Sequence, residues 1–153
     1  MKNFYFESVI MIERLHRLFL EVIKAELDRI GVRDINNVQC LVLYNIGTEE
    51  VTVGELTNRG YYLGSNVSYN LRKMVQNQYL IQEPSSHDRR SSHVKLSKKG
   101  LDLFKKFDGT LELHSVHLAK SNVSLQDIKG MVKTLGNIEA FWTGLITKDL
   151  RKL

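Results

Sequence analysis

One cysteine, one proline and no long apolar run set the first bounds on this 153-residue chain. A lone Cys40 cannot form an internal disulfide, which points to a reducing cytoplasm. With Pro84 the single proline, long segments on either side are free to be helical. The first eleven residues are apolar in patches, but Glu7 and Glu13 interrupt them. They are too short and too acidic for a signal peptide or a spanning helix, so no membrane association is expected. Enzyme signatures are missing as well. There is no Gly-rich phosphate loop, no Gly-x-Ser-x-Gly and no His-Glu-x-x-His, and Gly60 and Gly64 bracket a turn without dinucleotide spacing. The chain is therefore expected not to be an enzyme and to carry no cofactor.

Metal-ligand spacing is weak. His114 and His117 lie three apart, with Asp108 and Glu112 near in sequence, and His87 and His93 flank a short hairpin. No Cys-x-x-Cys accompanies them, and His114 falls on an apolar stripe where a core histidine is the expected role. No metal site is assigned, and a metal-sensing regulator stands only as an alternative.

The net charge is +5, and its location is informative. Residues 51–100 hold eight basic side chains against Glu55, Glu83 and Asp88, while the rest of the chain balances fourteen against fourteen. The whole excess sits in one stretch, which suits a polyanionic partner.

Helical periodicity runs from about Phe6 to Ile30 through Ile12, Leu15, Phe19, Val22/Ile23 and Leu27. Met11 and Leu18 form a second stripe, and a helix apolar on more than one side needs more than one neighbour. Asp34 is placed to cap the next helix, with Ile35, Val38, Leu41/Val42 and Ile46 inward and Gly47 ending it. Cys40 lies off that stripe and reads as a small buried hydrophobe, with a redox-sensing thiol as the alternative.

Residues 52–100 organise the chain. Thr52-Val53-Gly54-Glu55 has the capping-box pattern and starts a short helix to about Arg59. Val51–Val53 is also a candidate minor strand. Gly60-Tyr61-Tyr62-Leu63-Gly64 forms a turn, and Ser65 is placed to cap a helix running to about Asn77. In that helix Val67, Leu71, Met74 and Val75 make one apolar face. Opposite or flanking it stand Ser65, Asn66, Ser68, Tyr69, Arg72, Lys73 and Gln76, each able to hydrogen-bond. An ordinary solvated helix would show Glu–Lys pairs, whereas this one has no acidic residue. Arg72 and Lys73 can reach guanine edges or phosphates, and the amides and hydroxyls can pair with bases or backbone. A strand over 79–83, a tip over 85–90 and a return strand over 91–96 follow, with Val94 and Leu96 inward. Arg89 and Arg90 at such a tip suit a narrow minor groove, with Asp88 as an ion-pair brace for Arg90. Ser97 caps a long helix with the stripe Leu101, Phe104, Phe107, Leu111, His114 and Leu118. Ser124 and Asp127 cap a last helix carrying Leu125 to Leu150.

These residues resemble the MarR family of winged-helix transcription regulators. The resemblance rests on Asp88-Arg89-Arg90 followed by Val94-Lys95-Leu96-Ser97-Lys98-Lys99-Gly100, like the family's wing pattern Asp-x-Arg…Val-x-Leu-Thr-x-x-Gly, with Ser97 for threonine. Leu56, Leu63, Ser65, Val67, Leu71, Leu80 and Ile81 fit the helix-turn-helix before it. The aromatic pair Tyr61-Tyr62 departs from the family pattern and resembles a branch that controls L,D-transpeptidase genes. The resemblance implies a mostly α fold with a small β-hairpin wing, in one domain over 1–153. About 34–100 would be the winged helix-turn-helix lobe, and about 4–31 and 101–153 the dimerisation helices. It further implies a cytoplasmic homodimeric repressor on a pseudo-palindromic duplex, relieved by a small aromatic or phenolic ligand. Leu15, Phe19, Tyr44 and Phe107 are the candidate ligand-pocket residues by position. A winged-helix protein-interaction module is the other alternative, and the outward basic residues on helix and hairpin argue against it.

Overall fold

The computed structural model of the chain describes residues 1–58, 64–84 and 92–147. Its elements run α1 (Lys2–Arg29), α2 (Asn37–Ile46), β1 (Val51–Thr52), α3 (Val53–Asn58), α4 (Gly64–Gln76), β2 (Leu80–Pro84), β3 (Ser92–Leu96), α5 (Lys98–Leu118) and α6 (Leu125–Thr147). The fold is mostly helical with one small antiparallel sheet, ordered β1-β3-β2. Two compact units divide the chain, Met1–Asp108 and Gly109–Leu153.

The first unit holds the sheet, α1 to α4 and the start of α5. Its core takes Ile23 and Leu27 from α1, Leu43 and Ile46 from α2, Leu71 and Met74 from α4, and Val94 and Phe107. Sequence neighbours set most of the helix ends. Thr52 and Glu55 exchange bonds, the Glu55 N–H donating to Thr52 Oγ1 at 3.0 Å and the Thr52 N–H donating to Glu55 Oε2 at 2.6 Å. This capping box starts α3 where expected. Gly47 closes α2 with φ +59°, a backbone region that glycine reaches without penalty.

The cap of α2 differs from expectation. Asn36, not Asp34, is the N-cap: its side chain accepts from the Gln39 N–H at 2.8 Å, and Gln39 Oε1 accepts from the Asn36 N–H at 3.1 Å. The reciprocal box satisfies two helix-end donors at once, and the Asp34 carboxylate has distant partners instead. Helix α4 begins at Gly64, one residue before the Ser65 expected to cap it.

In α1 only Ile23 and Leu27 are buried, while Leu15, Leu18 and Val22 stay exposed. Along α5 the inward positions are Leu103, Phe107 and Thr110, and His114 is exposed rather than a core histidine. The helical period by itself does not say which part of a stripe is buried, and His114 lies on a part that is not. In the second unit Ser124 and Asp127 cap α6 as expected, with Asp127 N–H to Ser124 Oγ at 3.1 Å. None of the described α6 residues is buried. Among the described residues, no helix is long and apolar enough to cross a membrane.

Candidate nucleic-acid interface

Helix α4 has two faces of opposite character. Val67, Leu71 and Met74 are buried, and Asn66, Ser68, Tyr69, Arg72, Lys73 and Gln76 are exposed, Tyr69 to 57%. No described acidic residue pairs with Arg72 or Lys73, so the outward face presents donors and positive charge to solvent. Ser65 lies in the first turn of α4, and Asp88, Arg89 and Arg90 lie outside the described residues.

One polar side chain sits on the inward face of α4, and its importance emerges only from packing. Asn70 is buried, and its Oδ1 accepts from Gln39 Nε2 at 3.2 Å. Gln39 thus closes the α2 cap and grips the middle of α4 with the same amide. The signal was present as a polar residue three after Val67 and four before Met74, at the edge of the apolar face. Its partner, 31 residues away, was not readable.

The C-terminal end of α4 is tied down by Asp34. Tyr79 Oη donates to Asp34 Oδ1 at 2.6 Å, and Lys99 Nζ to Asp34 Oδ2 at 2.5 Å and to the Asn77 carbonyl at 2.9 Å. Asn77 Nδ2 donates to the Asp34 carbonyl, and the Lys99 ammonium lies 4.2 Å from the Tyr79 ring centroid. Partial burial works against the carboxylate, but the bonds from Lys99 and Tyr79 outweigh it and hold the Asp34 pKa below its ordinary value. Burial, then the Asp34 bond, pushes the Tyr79 hydroxyl up. The lock joins the segment before α2, the exit of α4 and the first turn of α5. Ser97 Oγ completes it, donating to the Gln78 carbonyl at 2.6 Å and accepting the Gly100 N–H at 3.1 Å.

A pH dependence follows. Folding lowers the Asp34 pKa, so its stabilisation is present in full above the unfolded value of about 3.9. It is lost as pH falls through the lower folded value. Asp34→Asn should be less stable than the parent near neutrality in urea melts, and the gap should shrink steadily on acidification below about pH 4. A gap independent of pH would show that Asp34 acts only by shape.

Of the four pocket candidates, Leu15 is 50% exposed, Phe19 and Tyr44 are half-buried, and Phe107 is 1% exposed. The structure brings two of them together: Tyr44 packs edge-on to Phe107 at 5.6 Å, and its hydroxyl donates to Asp108 at 3.0 Å. Tyr44 also stacks on Phe104 at 5.3 Å. Among the described residues no group of three or more His, Cys, Asp or Glu is placed to hold a metal. Cys40 is fully buried, and burial raises its thiol to about 12, which keeps it protonated and unreactive in the native fold.

The model of the MarR family matches residues 33–91. Across 138 residues the chain is 35% identical to the exopolysaccharide II synthesis transcriptional activator ExpG of Rhizobium meliloti, covering 90% of this chain and 71% of that protein. The chain belongs to the MarR family. Membership places it among transcription regulators rather than enzymes. Solved structures of the family share its fold. The Streptococcus pneumoniae FabT structure in complex with DNA has TM-score 0.70 at 21% identity, covering 92% of this chain and 99% of that one. A Staphylococcus aureus MarR in complex with salicylate and kanamycin has TM-score 0.70 at 21% identity, covering 94% and 93%. The hairpin β2–β3 is thus the wing of a winged-helix fold, with α4 immediately before it in the chain.

Proposed function

We propose that this MarR-family regulator binds double-stranded DNA sequence-specifically as a cytoplasmic homodimer. The outward face of α4 carries this reading: exposed amides, hydroxyls, Arg72 and Lys73, without one acidic residue, on a helix held by Gln39 and the Asp34 lock. Ser65, Asn66, Ser68, Tyr69, Arg72, Lys73 and Gln76 enter the major groove. Asp88, Arg89 and Arg90 at the wing tip serve the adjoining minor groove. The DNA complex of FabT, which has the same fold, supports this assignment.

Dimerisation is supported by apolar surface that a single chain leaves in water. Phe4, Phe6, Ile10 and Leu18 of α1 are exposed, as are Leu125, Val132, Phe141 and Ile146 of α6. Surface of that kind marks an association site. Two copies then present two α4 helices to half-sites about one helical turn apart, on the order of 10 bp. The effector is a small aromatic or phenolic molecule, with Leu15, Phe19, Tyr44 and Phe107 as the candidate pocket residues. Binding changes the separation of the two α4 helices and releases a repressed promoter. ExpG is named an activator, so the sign of regulation depends on where the operator lies, and DNA binding itself is the direct readout.

The test is selection of bound genomic fragments, followed by anisotropy titration of the recovered duplex and sedimentation of the free protein. Arg72→Ala should weaken binding by roughly 1–3 kcal/mol, about 5- to 150-fold, if the guanidinium makes a bidentate base contact. Equal affinity for the selected and a shuffled duplex would remove the specific-regulator reading. A monomer at micromolar concentration would remove the dimer.

A further inference from the structure

The first turns of α5 and the segment between α1 and α2 line an open cavity of about 500 Å³. Val32, Tyr79 and Leu103 give it an apolar part, and Lys98, Lys99 and Lys106 a basic one. The α5 members recur at helical steps, so one face of that helix presents them together. Leu103 is buried, Val32 half-buried and Lys98 exposed. Asp102 is the one acid in the lining, against three ammonium groups. The cavity shares no residue with the set Leu15, Phe19, Tyr44 and Phe107. It does share Tyr79 and Lys99 with the Asp34 lock. The Lys99 ammonium has three donors and gives two of them to Asp34 Oδ2 and the Asn77 carbonyl, so one is left. Side chains of the Lys99–Asp34 pair are 44% and 49% exposed. An ion pair in that much water is weak enough for a second carboxylate to compete with it.

We propose that this cavity binds a small organic carboxylate with an apolar body, and that the ligand competes with Asp34 for Lys99. The volume lies in the range of small-molecule sites, and apolar walls with a few charged groups are what such a ligand needs. Its carboxylate takes the remaining Lys99 donor and a donor from Lys98, while its body covers Val32 and Leu103. A second negative charge beside Lys99 weakens the hold on Asp34. Linkage then requires the reverse: whatever removes the Asp34 charge must tighten the ligand. The consequence for α4 rests on the duplex-binding reading above. Because the lock ties down the exit of α4, loosening it lowers affinity for the duplex, whereas binding of the carboxylate itself needs no DNA.

The test titrates the full chain with cyclohexanecarboxylate, followed by amide NMR shifts, with neutral cyclohexanecarboxamide as the control of equal shape. The carboxylate should shift amides of Val32 and of residues 98–106, and the amide should bind roughly tenfold more weakly, since it makes no charge-assisted bonds. Lys98→Gln, an exposed change outside the lock, should weaken the carboxylate roughly two- to fivefold, the scale of one exposed charge pair. Asp34→Asn should tighten it by a similar factor. Glu13→Gln, which removes the same charge from α1, should leave it unchanged, so that a general gain in positive charge is told apart from competition at Lys99. Saturating carboxylate should also weaken the parent's grip on the selected duplex roughly two- to fivefold and leave that of Asp34→Asn unchanged. Shifts confined to residues around Leu15 and Phe19, equal binding of acid and amide, or no tightening in Asp34→Asn each overturn the proposal. Duplex affinity that ignores bound carboxylate overturns the coupling to α4. A parent that binds the carboxylate but no duplex overturns the DNA reading and leaves the carboxylate site standing.

Discussion

Gly100→Ala should lower the melting temperature by on the order of 10 °C. A Cβ at Gly100 would stand 2.2 Å from the Tyr79 carbonyl oxygen and 3.3 Å from both the Tyr79 carbonyl carbon and Leu96 Cβ. Those are mostly backbone atoms, and no rotamer change relieves the overlap. The same carbonyl accepts the Ser97 N–H at 3.0 Å, so moving it breaks the link between the wing root and α5. Forced overpacking of this kind costs typically about 1–3 kcal/mol and more where backbone must shift, as here. The damage should extend to function, since Tyr79 and Lys99 also belong to the Asp34 lock at the exit of α4. DNA affinity should fall in step with stability. A melting change of only a degree or two would mean that α5 and β2 slide apart freely, and the lock would lose its role in positioning α4.

Phe107→Ala should cost about 3–5 kcal/mol in urea denaturation, the range for truncating a buried aromatic ring. The ring is 1% exposed and meets Tyr44 edge-on. Phe107→Leu keeps most of the volume and should cost clearly less. Tyr44→Phe removes an exposed bond to Asp108 and should be close to neutral. This series separates two roles for one position. A ring that walls an open cavity loses little stability on truncation and much ligand affinity, whereas a core ring does the reverse. A Phe107→Ala loss below about 1 kcal/mol would place the ring on the cavity side.

Features that depend on a few consecutive residues were legible without coordinates. The Thr52–Glu55 box, the Ser97 cap of α5, the Ser124–Asp127 pair and the stop at Gly47 each need partners within four residues. The two faces of α4 follow from helical period alone, and its apolar face is buried as the spacing of Val67, Leu71 and Met74 implies. The wing was legible through alternation, with Val94 and Leu96 inward. Failures lie where a distant partner competes with a local one. Asp34 looked like a cap because it precedes a helix, but Tyr79 and Lys99, 45 and 65 residues on, give its charge better partners. His114 looked like core because periodicity cannot tell which length of a stripe finds a neighbour.

Sequence alone determined the element types, the clustering of positive charge on one stretch and the family, because period, capping and charge are properties of neighbouring residues. Tertiary structure decided what holds the reading helix in place. The Gln39–Asn70 bond, the Asp34 lock and the Gly100–Tyr79 contact join segments far apart in the chain, and only the folded backbone brings such atoms within bonding distance.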